Sequence, residues 1–233
     1  MKVAAIIPAA GIGRRMQGNI PKQYLSLAGK PILAHTLTVF ENMPEITEVT
    51  VVAQAATLDI CQNQVITPFG FKKVLRLVPG GKERQDSVYN ALKVLHRQND
   101  WDLILVHDGV RPFVTAAEVR QVIRAAAVHG AAILALPAQD TVKKVKREGL
   151  IHKTLNRQEI WLAQTPQAFL AGIIWRAFVE AYGREFYGTD EASLLEPLGV
   201  PVMVVPGSPF NIKVTTPEDL IIAEAIYQLR QKN

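Results

Sequence analysis

Short aliphatic and β-branched runs alternate with helix-length amphipathic segments along most of this 233-residue chain. That alternation leaves few folds open, because a buried strand, a helix and a second buried strand form a βαβ unit with parallel strands. Residues 3–8 read as a first strand that ends in a glycine-containing loop. Residues 31–42 read as a helix with proline in its first turn. Strands follow at 49–53 and 74–78, a helix at 83–97 with Val88, Leu92 and Leu95 on one face, and a strand at 103–107. A helix at 116–129 and a strand at 133–136 continue the pattern. Helices at 170–182 and 191–198, a strand at 202–205 and a helix at 217–231 close it. The expectation is one α/β domain over residues 1–233, Rossmann-like, with a mostly parallel twisted sheet.

One stretch breaks the pattern. From about 137 to 160 apolar and polar residues alternate, as in Thr-Val-Lys-Lys-Val-Lys and Leu-Ile-His-Lys-Thr-Leu, with Glu148-Gly149 between them. This predicts a β-hairpin arm. Its edges can be covered by folding back on its own domain or by pairing with a second subunit, and pattern alone serves both.

Composition narrows the function classes. The lone Cys61 cannot form an internal disulfide, which fits a reducing cytoplasm. No cationic start with an apolar run reads as a signal peptide. No apolar stretch reaches the roughly 20 residues of a membrane span. The net charge of +5 asks for an anionic partner. The one dense basic cluster, Lys143, Lys144, Lys146 and Arg147, alternates with valine and lacks interleaved aromatics. Phosphorylated small molecules therefore suit the charge better than nucleic acid. His35, His96, His107, His129 and His152 are scattered and make no zinc pattern.

The first loop, Pro8-Ala9-Ala10-Gly11-Ile12-Gly13-Arg14-Arg15-Met16, has the small residues that let backbone N–H groups approach a phosphate. A dinucleotide fingerprint needs a third small residue where Met16 stands, and an acidic residue where Ala53-Gln54 follow the second strand. A P-loop needs Gly-Lys-Ser/Thr, and arginines stand there instead. A plain tight turn has the same glycine spacing, but Arg14, Arg15 and Lys22 lie close behind the loop. Such cations are what phosphoryl-type transfer requires to neutralise charge on the phosphate oxygens.

These residues, with Pro21-Lys22-Gln23-Tyr24, resemble the start of the sugar-phosphate nucleotidyltransferases. The block Val106-His107-Asp108-Gly109-Val110-Arg111-Pro112-Phe113 narrows the resemblance to the 2-C-methyl-D-erythritol 4-phosphate cytidylyltransferase family. Blocks at 80–88, 164–167, 189–193 and 211–215 follow in the family's order, so the similarity spans nearly the whole chain. It implies a nucleotidyltransferase domain that moves CMP from CTP to the phosphate of methylerythritol phosphate in isoprenoid precursor synthesis. It also implies a divalent cation, usually magnesium, and a single displacement without a covalent enzyme intermediate. The sister family acting on ribitol 5-phosphate shares fold and motifs.

The resemblance also distributes roles. Pro8, Ala9, Ala10, Gly11 and Gly13 would wrap CTP, with Gly80, Gly81 and Ser87 framing its cytosine and ribose. Arg15, Lys22 and Lys213 would stabilise the crowded phosphates. Asp108 would meet the metal–triphosphate and the acceptor's hydroxyls, and Gly109, Arg111, Thr165 and Thr189 would contact the acceptor. Thr141 and Arg157 lie on the arm, which in the family crosses to a second subunit, so a homodimer with Arg157 acting in trans is implied. Many members carry an acidic residue just before the Asn-Ile-Lys block, where this chain has Phe210.

Overall fold

The computed structural model describes residues 1–11, 20–98 and 100–231. Its strands of three or more residues are β1 (Val3–Pro8), β2 (Ile46–Ala53), β3 (Val74–Pro79), β4 (Leu103–Val106), β5 (Ala131–Pro137), β6 (Lys143–Val145), β7 (Ile151–Thr154), β8 (Trp161–Leu170) and β9 (Met203–Pro206). Seven of them form one sheet in the order β9-β5-β8-β4-β1-β2-β3. All neighbours are parallel except β8, which runs antiparallel to both β4 and β5.

The alternation within β1 explains the layers. Val3, Ala5 and Ile7 face one apolar cluster, while Ala4 and Ile6 face another. All five are fully buried. A strand without a polar position cannot leave one face to water, so helices must cover both sides. Helices α1 (Ile32–Glu41) and α3 (Ala116–His129) cover the first face, and α2 (Arg84–His96) and α4 (Ala171–Gly183) the second. The limits of α3 were readable because Thr115 and Glu118 form a capping box and Gly130 closes the helix at φ 88°. The last helix, α5 (Pro217–Gln231), packs Ala223 and Ile226 on Val110, Phe113 and Val214.

Three expectations change. Residues 161–170, not foreseen as a strand, form β8 in the middle of the sheet. Its Gln164-Thr165-Pro166-Gln167 stretch reads against a central strand because proline donates no ladder hydrogen bond. The fold absorbs Pro166 at an irregularity between Ala163 and Gln167, where the Thr165–Pro166 peptide is cis. The helix expected at 191–198 is instead two short 3₁₀ turns, Ala192–Leu194 and Glu196–Leu198, broken at Leu195, the second carrying Pro197 and ended by Gly199 at φ 66°. Short helical turns between Ala55 and Phe69, also unforeseen, bridge β2 and β3.

The hairpin is present. Among the described residues β6 pairs only with β7, and every residue of both strands is exposed.

Candidate functional site

β1 lies between β2 and β4: the chain runs outward through β2 and β3 and then crosses back to β4 on the other side, and this reversal opens a crevice beyond the carboxyl ends of β1 and β4. A cleft of about 640 Å³ occupies that place. The end of β1 contributes Pro8, Ala9, Ala10 and Gly11, and the end of β2 contributes Gln54. The turn from β3 into α2 contributes Gly80, Gly81, Lys82 and Arg84. Lys22, Gln23, Glu83, Ser87, Asp108 and Lys213 complete the charged and polar lining. Chain segments far apart in sequence thus bring Lys22, Lys82, Arg84 and Lys213 to one concavity.

The glycine turn is built by close approach. A Cβ on Gly80 would lie 2.5 Å from the Cβ of Ala10 and 3.1 Å from Ser87 Oγ. Ser87 is buried, and its hydroxyl accepts the Gly81 N–H and donates to the Glu83 carbonyl, both at 3.1 Å. Asp86 accepts the Glu83 N–H at 2.9 Å and caps α2. The turn is therefore held in place before any ligand arrives.

Asp108 is the electrostatic centre. The residue is 5% exposed, and its carboxylate meets three cations. Lys213 Nζ lies 2.9 Å from Oδ2, Arg111 Nε donates to Oδ2 at 3.3 Å and Arg84 Nε to Oδ1 at 3.3 Å. Burial alone would raise its pKa, but Arg84, Lys213 and Arg111 together pull it well below the ordinary carboxylate range. Arg84 also lays both terminal nitrogens on buried Glu191, at 2.7 and 3.1 Å. Arg111 donates to the Asn211 carbonyl at 2.7 Å, and Asn211 donates to the Thr165 carbonyl at 2.8 Å. Together with the Val214 N–H on the Val110 carbonyl at 2.9 Å, these bonds fix the segment that carries Lys213.

Beneath Asp108 runs a polar chain. Its backbone N–H donates to Thr165 Oγ1 at 3.1 Å, and Thr165 Oγ1 lies 3.0 Å from His107 Nδ1. His107 Nε2 lies 3.1 Å from the Arg111 carbonyl, which can only accept, so Nε2 carries the proton. The consistent assignment is a neutral imidazole whose Nδ1 accepts from the Thr165 hydroxyl. Burial, the largest influence, pushes His107 down from its ordinary 6.5 to about 4.

A pH dependence follows. Below 6.5 the unfolded chain takes up a proton at His107 that the folded chain refuses until about 4. The stability contribution is thus complete above pH 6.5 and is lost as pH falls through that window, amounting to about 3 kcal/mol. Urea unfolding between pH 7 and 4 should show the slope, and His107→Gln should flatten it.

The expected residues separate into groups. Pro8, Ala9, Ala10, Gly11, Lys22, Gly80, Gly81, Ser87, Asp108 and Lys213 converge on the cleft. Gly13 and Arg15 lie outside the described residues. Gly109 and Arg111 pack behind the cleft wall; the Gly109 N–H donates to the Pro8 carbonyl at 3.1 Å. Thr165 is buried, with its hydroxyl engaged by Asp108 and His107 rather than turned toward an acceptor. Thr189 sits exposed on the loop before Glu191. Thr141 and Arg157 are exposed on the arm, and Arg157 donates to the Gln139 carbonyl at 2.5 Å. Arg84, Lys82 and Gln54 were not foreseen as lining residues, although Lys82 and Arg84 directly follow the Gly80-Gly81 turn.

Cys61 does not suit the role of a nucleophile. Cys61 is fully buried and unpaired, and burial pushes its thiol up to about 11. Among the described residues no three His, Cys, Asp or Glu side chains gather as a metal cage. No described helix is long and apolar enough to cross a membrane.

The comparisons with known proteins agree with one another. The family model IspD, 2-C-methyl-D-erythritol 4-phosphate cytidylyltransferase, matches residues 3–229. The chain is 50% identical over 224 residues to the 2-C-methyl-D-erythritol 4-phosphate cytidylyltransferase of Syntrophus aciditrophicus, covering 96% of this chain and 95% of that one. It is 49% identical over 225 residues to the protein of the same name from Geotalea uraniireducens, covering 97% and 96%. Among solved structures, the 4-diphosphocytidyl-2C-methyl-D-erythritol synthase of Anaerococcus prevotii matches with a TM-score of 0.85 at 34% identity, covering 97% and 96%. The Francisella tularensis 2-C-methyl-D-erythritol 4-phosphate cytidylyltransferase matches at 0.82 and 37% identity, covering 97% of this chain and all of that one. This chain belongs to the 2-C-methyl-D-erythritol 4-phosphate cytidylyltransferase family.

Proposed function

We propose that this chain transfers the cytidylyl group of CTP to 2-C-methyl-D-erythritol 4-phosphate, a step in isoprenoid precursor synthesis. The observation that carries the reading is the convergence of Lys22, Lys82, Arg84 and Lys213 on one cleft at the switch point of the sheet, in a chain of this family. An acceptor phosphate oxygen forms a bond to the α-phosphorus of CTP. The bond from that phosphorus to the bridging oxygen of the β-phosphate breaks, and pyrophosphate leaves with the electron pair. No proton transfer to carbon and no enzyme nucleophile is needed, so positioning and charge neutralisation carry the rate.

In this reading Pro8 to Gly11, with Gly13, wrap the triphosphate, and the Gly80-Gly81 turn with Ser87 receives the base and ribose. Two glycines let backbone groups reach the edge of a pyrimidine. Arg15 and Lys22 neutralise the α-phosphate, and Lys213 holds it against the incoming phosphate. Asp108, with Gly109, Arg111 and Thr165 behind it, orients Lys213 and faces the acceptor, and Thr189 borders it. Magnesium commonly sits on substrate phosphates with only one or two protein carboxylates. Asp108, the buried carboxylate on the cleft wall, suits that pattern, and the cation would supply charge neutralisation at the triphosphate. A buried free cysteine suits a cytoplasmic location. With magnesium, CTP and the acceptor, the chain should release one pyrophosphate per cytidylylated product; release without acceptor would argue for a hydrolase.

We further propose a homodimer through the arm. Val145, Leu150, Ile151, Trp161 and Leu162 are exposed apolar residues on or beside it, a surface that a second subunit would cover. Thr141 and Arg157 would then reach the partner's cleft, where the guanidinium fork of Arg157 suits the acceptor phosphate. Mixing Arg157→Ala and Lys22→Ala chains should restore activity in dimers that carry one intact site. No recovery after subunit exchange would mean self-contained sites.

A further inference from the structure

The cleft wall contains an ion pair that neither the expected roles nor the family motif explains. Glu191 is 1% exposed and takes both terminal nitrogens of Arg84. Toward Asp108 the guanidinium presents Nε and Nη2, each 3.3 Å from Oδ1, and Nη2 is shared with Glu191; Lys213 approaches Oδ2 at 2.9 Å. Glu191 itself is held rigidly by its loop. Gln167 accepts the Ala192 N–H at 3.1 Å and donates to Asp190 at 2.8 Å, and Gly188 donates to Gln85 on α2 at 2.9 Å. The Thr189–Ser193 segment is thereby linked through Arg84 to the carboxylate that orients Lys213.

We propose that Glu191 is a positioning residue for the transfer step, keeping Asp108 available to Lys213 by occupying the fork of Arg84. A guanidinium fork matches a carboxylate bidentately. With Glu191 neutral, the nearest ionised carboxylate for that fork is Asp108, and Arg84 turning onto it competes with Lys213. Lys213 then loses the partner that aims it between the two phosphates. The inference rests on the cytidylyl-transfer reading above.

The test compares Glu191→Gln, Glu191→Asp, Arg84→Met and the double variant Glu191→Gln/Arg84→Met with the wild type, by steady-state kinetics and by calorimetric CTP binding. Misplacing a catalytic group by about 1 Å costs up to about 10²-fold. Glu191→Gln is therefore expected to lower kcat by about 10- to 100-fold with CTP affinity and binding stoichiometry unchanged. Glu191→Asp keeps the charge and should recover part of the rate. The double variant removes both buried charges together, which protects the fold, and its kcat/KM should equal that of Arg84→Met alone. Wild-type kcat in a Glu191→Gln chain that binds CTP at full stoichiometry would overturn the proposal. So would independent, multiplicative losses in the double variant. A wild-type chain inactive with CTP and the acceptor would instead sink the transfer reading, and this inference with it.

Discussion

Lys213→Ala should lower kcat/KM by about 10²- to 10³-fold, the usual cost of removing one donor that acts on developing charge, or roughly 3–4 kcal/mol. Little of that loss should reach the fold. Lys213 is partly exposed, and its ion pair with Asp108 leaves Arg84 and Arg111 on the same carboxylate when it goes. A half-exposed pair contributes at most about 1 kcal/mol to stability. The loss should fall mainly on kcat, because CTP keeps the glycine loop and Lys22. Lys213→Arg should recover only a fraction, since a planar fork cannot stand where a compact ammonium bridges two phosphates. Single-turnover kinetics with saturating CTP separates these effects from binding. A variant with wild-type kcat and raised KM would show Lys213 to be a binding group only.

Asp108→Ala should damage both stability and activity. The substitution leaves the Arg111 guanidinium, 12% exposed, with the neutral Asn211 carbonyl in place of a carboxylate, and it removes one of the two carboxylates that compensate Arg84. Breaking a buried pair from one side costs about 3–5 kcal/mol. For a chain of this size that corresponds to a fall in Tm of roughly 6–20 °C. Urea unfolding measures it directly. Because the three cations depress the Asp108 pKa in the folded state, its contribution is complete above the ordinary value of 3.8 and fades as pH falls below it. The Asp108→Ala variant should lack that acid-side loss, while the loss due to His107 at higher pH remains.

The layers of the fold were legible because their signals are local. β1 has no polar residue, Thr115 and Glu118 mark the start of α3, and Pro217 marks that of α5. What was missed depended on tertiary compensation. Pro166 argues against a central strand unless the strand can break register, and only the packing of β8 between β4 and β5 shows that it does. The cleft lining was legible where glycine spacing after a strand marked it, as at Gly80 and Gly81, and where the family blocks singled a residue out, as at Asp108 and Lys213. Arg84 and Glu191 stand 107 positions apart, and nothing in their local sequence marks two surface-type charges as buried partners. The contact of Thr165 with the acceptor was implied by the family resemblance and not by its local sequence, which fits a helix cap as well. In the structure Thr165 lies within the irregularity in β8, buried, with its hydroxyl under Asp108.

The most direct test of the central claim is pyrophosphate release from CTP and magnesium, with 2-C-methyl-D-erythritol 4-phosphate and ribitol 5-phosphate offered in parallel. A buried methyl group is worth about 1–3 kcal/mol, so discrimination of roughly 10- to 200-fold is within reach of a pocket shaped for the branch. The predicted result is a clear preference in kcat/KM for the methylerythritol acceptor. A preference for ribitol 5-phosphate, or no release with either, would contradict it.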